Sequence, residues 1–208
     1  MGTSLPRIVV LLVSAAVALS SLGGFWSERV NAQQPASAGP KLQGTDVFPV
    51  GMHRVPPFAL RDQNGRLVTP KSLRGRVFAV TFLDSVCRKE CPVEGRELAS
   101  VQRALGPHTP LTVVVVSVDP AADTRASARA FMRESKLTGP WHWLFGSRSL
   151  LLPVWIEYGI GVQPEKGDIS HTVAVYLVDQ HGWMRVADGV PFLPPQLVSS
   201  VRALTKKN

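Results

Sequence analysis

The stretch Ser85-Val-Cys-Arg-Lys-Glu-Cys-Pro-Val-Glu94 holds both cysteines of the chain, Cys87 and Cys91, separated by three residues and followed at once by Pro92. Two thiols at that spacing can join each other, exchange with a substrate or hold a metal. A structural disulfide would close a loop of about five residues, which removes little entropy from the unfolded chain, so stapling alone is the weakest reading. Cys91 is expected at the start of a helix with Pro92 at its first position, where a missing N–H costs little. The helix N-terminus and the adjacent Arg88 and Lys89 should then favour thiolate at both sulfurs. Redox pairs commonly use C-x-x-C, and the extra residue here shifts the second thiol relative to the helix. Two thiolates are also soft ligands, suited to Cu(I), zinc or iron–sulfur chemistry. Two sulfurs do not complete a site, and the missing ligand is expected to be histidine.

Five histidines are available. His53 lies where the domain begins, His108 beside a Gly-Pro pair, and His181 in a hairpin turn, all better explained as polar loop residues. His142 stands between Trp141 and Trp143, where packing is the simpler role. His171 differs, because it follows the segment 161–170 and is expected to open a buried strand, although a strand-initial histidine can also be a hydrogen-bonded end residue. Asp119 before Pro120 reads as a turn, and the two tryptophans as core or edge packing.

The elements that must position these residues follow from periodicity. Phe58 to Thr69 reads as two short strands around an Asn64-Gly65 turn. Ser72 to Gly75 is a brief turn, and Val77 to Leu83 is a continuous apolar strand buried on both faces. Val93, Leu98, Val101 and Leu105 repeat at helical spacing until Gly106-Pro107 stops them. Leu111 to Val118 is a second buried strand. Asp123 or Thr124 caps a helix reaching Ser135, with Ala126, Ala130 and Phe131 on its packing face. Trp141 to Phe145 is a short strand, and Ser147 to Tyr158 a helix that Pro153 either kinks or begins. His171 opens a third apolar strand, Asp179 to Gly182 turns it into Trp183 to Ala187, and Pro194 starts a last helix to about Leu204. This order implies an α/β chain with a central mixed sheet flanked by helices and a β-hairpin on the N-terminal side. A cysteine pair just after the first buried strand points to a thioredoxin-like core.

Ahead of this domain, Arg7 precedes an apolar run from Ile8 to Leu19 that continues to Trp26, with Val30-Asn31-Ala32 as a cleavage site. Residues 1–32 are therefore expected to be a signal peptide or an N-terminal membrane anchor, and the rest of the chain to be exported and extracytoplasmic. Residues 33–51, polar and rich in small residues and proline, read as a flexible linker, leaving 52–208 as the domain. The formal charge of +8 is spread along the chain with no basic run longer than two residues. It reads as a solvated basic surface, and nucleic acid is not the expected partner. No G-x-S-x-G elbow, phosphate-binding glycine loop or H-E-x-x-H helix occurs.

Pro57 to about Val190 resembles the Sco (SenC) family of copper proteins. The resemblance rests on Phe58-Ala-Leu-Arg-Asp-Gln-Asn-Gly65, Leu73-Arg-Gly-Arg-Val77 and Cys87-Arg-Lys-Glu-Cys91-Pro92, then on Val116-Ser-Val-Asp-Pro120 with Asp123-Thr124, and on His171-Thr-Val-Ala-Val-Tyr-Leu-Val-Asp179. It implies a thioredoxin-like fold in which Cys87, Cys91 and His171 bind one copper ion, Cu(I) or Cu(II). The implied partner is the copper-centre subunit of cytochrome c oxidase, with a copper donor or thiol reductant upstream. Such proteins pass copper to that subunit or reduce its ligand cysteines, so Cys87 and Cys91 are either metal ligands or a redox-active pair. The first role is that of a binding protein rather than an enzyme. The second is that of a thiol–disulfide oxidoreductase, for which His171 is dispensable. Two positions depart from the family. Ser170 replaces an aspartate common before the histidine, with Asp168 two residues further back, and such carboxylates orient a ligating imidazole. The insert Arg88-Lys89-Glu90 is also more cationic than usual, which should lower thiol pKa and disfavour Cu(II). A thiol peroxidase is disfavoured, because Asp84 and Val80 stand where its threonine or serine and its proline would be.

Overall fold

Two six-residue segments, FAVTFL and TVVVVS, are buried at every position. A strand buried on both faces must lie inside a sheet covered on both sides, and these two pair in parallel at its centre. The computed structural model describes residues 41–108, 110–165, 168–189 and 191–206. In chain order the strands are β1 (Asp46–Val47), β2 (Leu60–Arg61), β3 (Leu67–Val68), β4 (Phe78–Leu83), β5 (Thr112–Ser117), β6 (Trp141–Leu144), β7 (Val162–Glu165), β8 (Asp168–His171), β9 (Ala174–Val178) and β10 (Met184–Gly189). The helices are α1 (Glu90–Leu105), α2 (Arg125–Glu134), α3 (Arg148–Glu157) and α4 (Pro194–Thr205). The expected segment 1–32 and the start of the expected linker lie outside the described residues.

The main sheet has six strands in the order β1-β10-β9-β4-β5-β6. β4, β5 and β6 run parallel, whereas β9, β10 and β1 add on antiparallel. One face packs Leu98 and Val101 of α1, Phe131 and Met132 of α2, and Leu197 and Val201 of α4. The other packs Leu151 and Trp155 of α3 together with Phe58, Leu60 and Leu73. This is the expected mixed sheet flanked by helices, thioredoxin-like, with the β2–β3 hairpin on the N-terminal side. Trp143 is fully buried and meets Phe131 edge-on at 5.3 Å, a packing role as expected.

Several expectations are corrected. The segment read as a linker to residue 51 is docked from Lys41 onward. The Lys41 and Gln43 amides donate to the Ser199 and Ser200 hydroxyls of α4, the Thr45 amide donates to Asp188, and β1 pairs with β10. Polar contacts to a distant helix leave no apolar period, so composition alone reads as linker. Helix α1 begins at Glu90, making Pro92 its third residue. Val93 is 40% exposed, while Cys91, Glu94 and Gly95 take the inner face. A Cβ at Gly95 would lie 2.4 Å from the Ser135 hydroxyl, so glycine is what lets the end of α2 approach. On α2 the buried face is Ala128, Phe131 and Met132; Ala126 is exposed and Ala130 only half-buried. Thr124, not Asp123, is the cap, with reciprocal bonds to Ser127. Helix α3 runs through Pro153 on its exposed side. The segment 161–170 is largely a two-stranded ribbon, β7 paired with β8, and His171 ends β8 three residues before β9 begins.

Candidate metal centre

Strand β4 delivers the chain to a tight turn, Asp84 to Lys89, before α1 starts. Two buried carboxylates hold it. Asp84 accepts from the Val86 amide at 2.7 Å, and Asp123, just ahead of α2, accepts from the Ser85 amide at 2.7 Å and from the Ser117 hydroxyl. Ser85 also meets Ser127 of α2 at 2.6 Å. Burial raises the pKa of both carboxyls, Asp123 to about 6 despite hydrogen bonds from Ser117 and Ser85. The turn leaves Cys87 half-buried beside exposed Val86, Arg88 and Lys89, with its sulfur accepting from the Lys89 amide at 3.4 Å. Cys91, the second residue of α1, is completely buried.

The third group arrives from the ribbon. At its base the Gly161 amide donates to the Thr172 hydroxyl at 3.1 Å, and the Thr172 amide donates to the Gly161 carbonyl at 2.9 Å. This base aims the His171 ring inward. Its Nδ1 lies 3.0 Å from the Thr172 carbonyl and its Nε2 3.6 Å from Cys91 Sγ. A carbonyl only accepts, so Nδ1 carries the proton and the Nε2 lone pair faces the sulfur. The orienting role that a carboxylate before the histidine would fill is here taken by a backbone carbonyl. Cys87 and His171 line one cleft with Lys89, Glu90, Glu165 and Ser170.

The thiol at Cys91 is not poised as thiolate. Burial pushes its pKa far up, outweighing a backbone hydrogen bond at Asp84, and the neighbouring Cys87 sulfur pushes the same way. Burial excludes the solvation a thiolate needs, and Arg88 and Lys89 remain exposed in water. A cation that replaced the proton would restore the balance, so metal uptake would release a proton here. Among the described residues, no three histidine, cysteine or acidic side chains already close around one point. The donor set itself fits a soft cation: two sulfurs and an imidazole nitrogen whose lone pair faces one of them.

The other histidines fall elsewhere. His53 packs edge-on against Phe48, and the His181 carbonyl accepts from Arg54 in its turn. His108 is exposed after α1. His142 donates from Nδ1 to the buried Asp62 at 2.9 Å. Asp119 accepts from the Ala121 and Ala122 amides, the structural turn expected of it. Sequence reading missed Asp84, Asp123, Thr172, Thr81 and Glu94 around the site. The available signal was polarity inside apolar surroundings: Thr81 interrupts β4, and Glu94 follows Cys91 by three residues on a packed helix face.

The SCO1/SenC family model matches residues 51–204. A SCO1 protein homolog of Bacillus subtilis (strain 168) is 27% identical over 136 residues, which span 62% of this chain and 70% of that one. A structure of Bradyrhizobium japonicum ScoI with copper bound is 27% identical, with a TM-score of 0.63 over 73% of this chain and 99% of that one. The structure of BsSco, a member of the Sco family of cytochrome c oxidase assembly proteins in which a disulfide switch was identified, shares the fold. It is 23% identical, with a TM-score of 0.65 over 76% of this chain and 96% of that one.

Proposed function

The chain belongs to the SCO1/SenC family, and from that premise we propose that it binds one copper ion through Cys87, Cys91 and His171 and serves assembly of the copper centre of cytochrome c oxidase. The observation that carries this reading is the meeting of Cys91 Sγ and His171 Nε2 at 3.6 Å, with Nδ1 held by a backbone carbonyl. Residues 80 positions apart are brought together with the nitrogen lone pair directed at the sulfur. Copper is bound in the relative of this fold from Bradyrhizobium japonicum. Copper is cargo in this reading, taken up with loss of the Cys91 proton and passed to the subunit that carries the dinuclear centre. The export expected of residues 1–32 would put the domain on the outer side of the membrane, as this reading requires. Among the described residues no helix is long and apolar enough to cross a membrane.

Copper titration of the reduced chain, followed by native mass spectrometry and absorption, tests the ligand set. The expected result is one copper with a thiolate-to-Cu(II) band in the parent and loss of both in His171→Ala. Equal binding by the variant would remove His171 from the site.

A second reading is favoured by the unequal exposure of the two thiols. The Cys87 thiolate would attack a partner disulfide and release one partner thiolate. Cys91 would then resolve the mixed disulfide, leaving the partner as a dithiol and Cys87–Cys91 oxidised. Rapid cycling with a dithiol that is unchanged in His171→Ala, without copper retention, would select this chemistry.

A further inference from the structure

Three residues after Cys91, Glu94 is fully buried, and Thr81 beside it is equally buried in the otherwise apolar β4. The Thr81 hydroxyl is hydrogen-bonded with Glu94 Oε1 and lies 3.0 Å from the carbonyl of Ala174, the first residue of β9. A hydroxyl has one proton to give. Were Glu94 ionised, both neighbours of Thr81 would be acceptors and one contact would lack a hydrogen. Oε2, buried without a hydrogen-bond partner, would then share an unsolvated charge. With the proton on Glu94, its O–H donates to Thr81 Oγ1 and the Thr81 O–H donates to the Ala174 carbonyl, so every hydrogen has an acceptor. Burial acts in the same direction, raising the Glu94 pKa to about 8 although its contact with the Thr81 side chain works the other way, with Glu97 adding to the rise.

We propose that protonated Glu94 and Thr81 form a buried relay that positions the metal-binding segments, tying α1 to β4 and β9. These three elements carry Cys91, lead into Cys87 and follow His171. Glu94 and Thr81 are positioning residues, since neither is a copper ligand. The relay rests on the copper reading above for its purpose, but its existence can be read without copper.

Infrared spectra of the purified, copper-free chain at neutral pH, taken as wild type minus Glu94→Gln, should show the carbonyl stretch of a protonated carboxylic acid. A carboxylate pair of bands in its place would overturn the relay. Amide hydrogen exchange should rise in segments 90–94 and 171–175 in Thr81→Val and Glu94→Leu and stay near wild type in Glu94→Gln, whose amide N–H replaces the acid O–H. Copper affinity should follow the same order, the dissociation constant rising about tenfold in Thr81→Val and Glu94→Leu and staying within about twofold in Glu94→Gln. Should a single variant fail to fold, the double Thr81→Val/Glu94→Leu variant removes both polar partners at once and takes its place. Wild-type exchange and affinity in the apolar variants would overturn the proposal. A wild type that takes up no copper, yet shows the acid band and the exchange pattern, would sink the copper reading and leave the relay standing.

Discussion

Glu94 is an acid whose ordinary value of 4.5 rises in the fold to about 8, mainly through burial. Between those values the folded chain holds a proton that the unfolded chain has released. The resulting stability is complete below about pH 4.5 and is lost as pH rises through 8. The upper bound on that loss is roughly 5 kcal/mol. Urea unfolding from pH 5 to 8 is expected to fall more steeply for the wild type than for Glu94→Gln; parallel slopes would mean that Glu94 ionises freely. Asp62 has the opposite sign. Burial would raise its pKa, but hydrogen bonds from His142, Asn64 and Arg66 outweigh burial and lower it. Its contribution is present above its ordinary value and lost as pH falls through the depressed one. At this scale the candidate ligands stood out because closely spaced cysteines are chemically conspicuous, and His171 was singled out by its place ahead of an apolar strand, although it ends β8. Glu94 was not, since a single glutamate on a helix reads as a solvated face until its neighbours are known.

Among the elements, the β7–β8 ribbon matters most for the site, because it carries His171. Thr172→Val removes the hydroxyl that accepts from Gly161 at the ribbon base. Copper affinity is expected to drop about tenfold, as for other groups that orient a ligand, with little change in the unfolding midpoint. An unchanged titration would show that the ribbon needs no such anchor. Helix α2 supplies the control. Thr124→Ala breaks its reciprocal cap with Ser127 and is expected to cost about 1 kcal/mol in urea unfolding. The long elements were readable from apolar period, whereas the ribbon was not, because β7 is mostly exposed and has no apolar alternation to betray it. Val93 was misplaced on α1 for a related reason: the inner face near the site is filled by Cys91, Glu94 and Gly95, and neither a glutamate nor a glycine reads as part of an apolar period.

For the whole molecule, the docked segment 41–51 belongs to the folded unit. A chain beginning at Met52 lacks β1, the Thr45 bond to Asp188 and the bonds from Lys41 and Gln43 to α4. Its stability is expected to be lower than that of a chain beginning at Lys41 by about 1–3 kcal/mol, the cost of a few lost partly buried hydrogen bonds. Thermal unfolding of the two chains compares them directly, and coincident melting curves would show that β1 contributes nothing.

By itself the sequence determined what is local: strands and helices with a strong apolar period, the turn chemistry between them, and a pair of soft thiols at a helix start. Their order was enough to specify a mixed sheet with helices on both faces. Only the tertiary structure decided that His171 meets Cys91, that burial raises the Cys91 pKa, and that Glu94 is hydrogen-bonded with Thr81. Each of these depends on groups far apart along the chain, and the free energy of a buried polar group is set by which partners the fold places beside it.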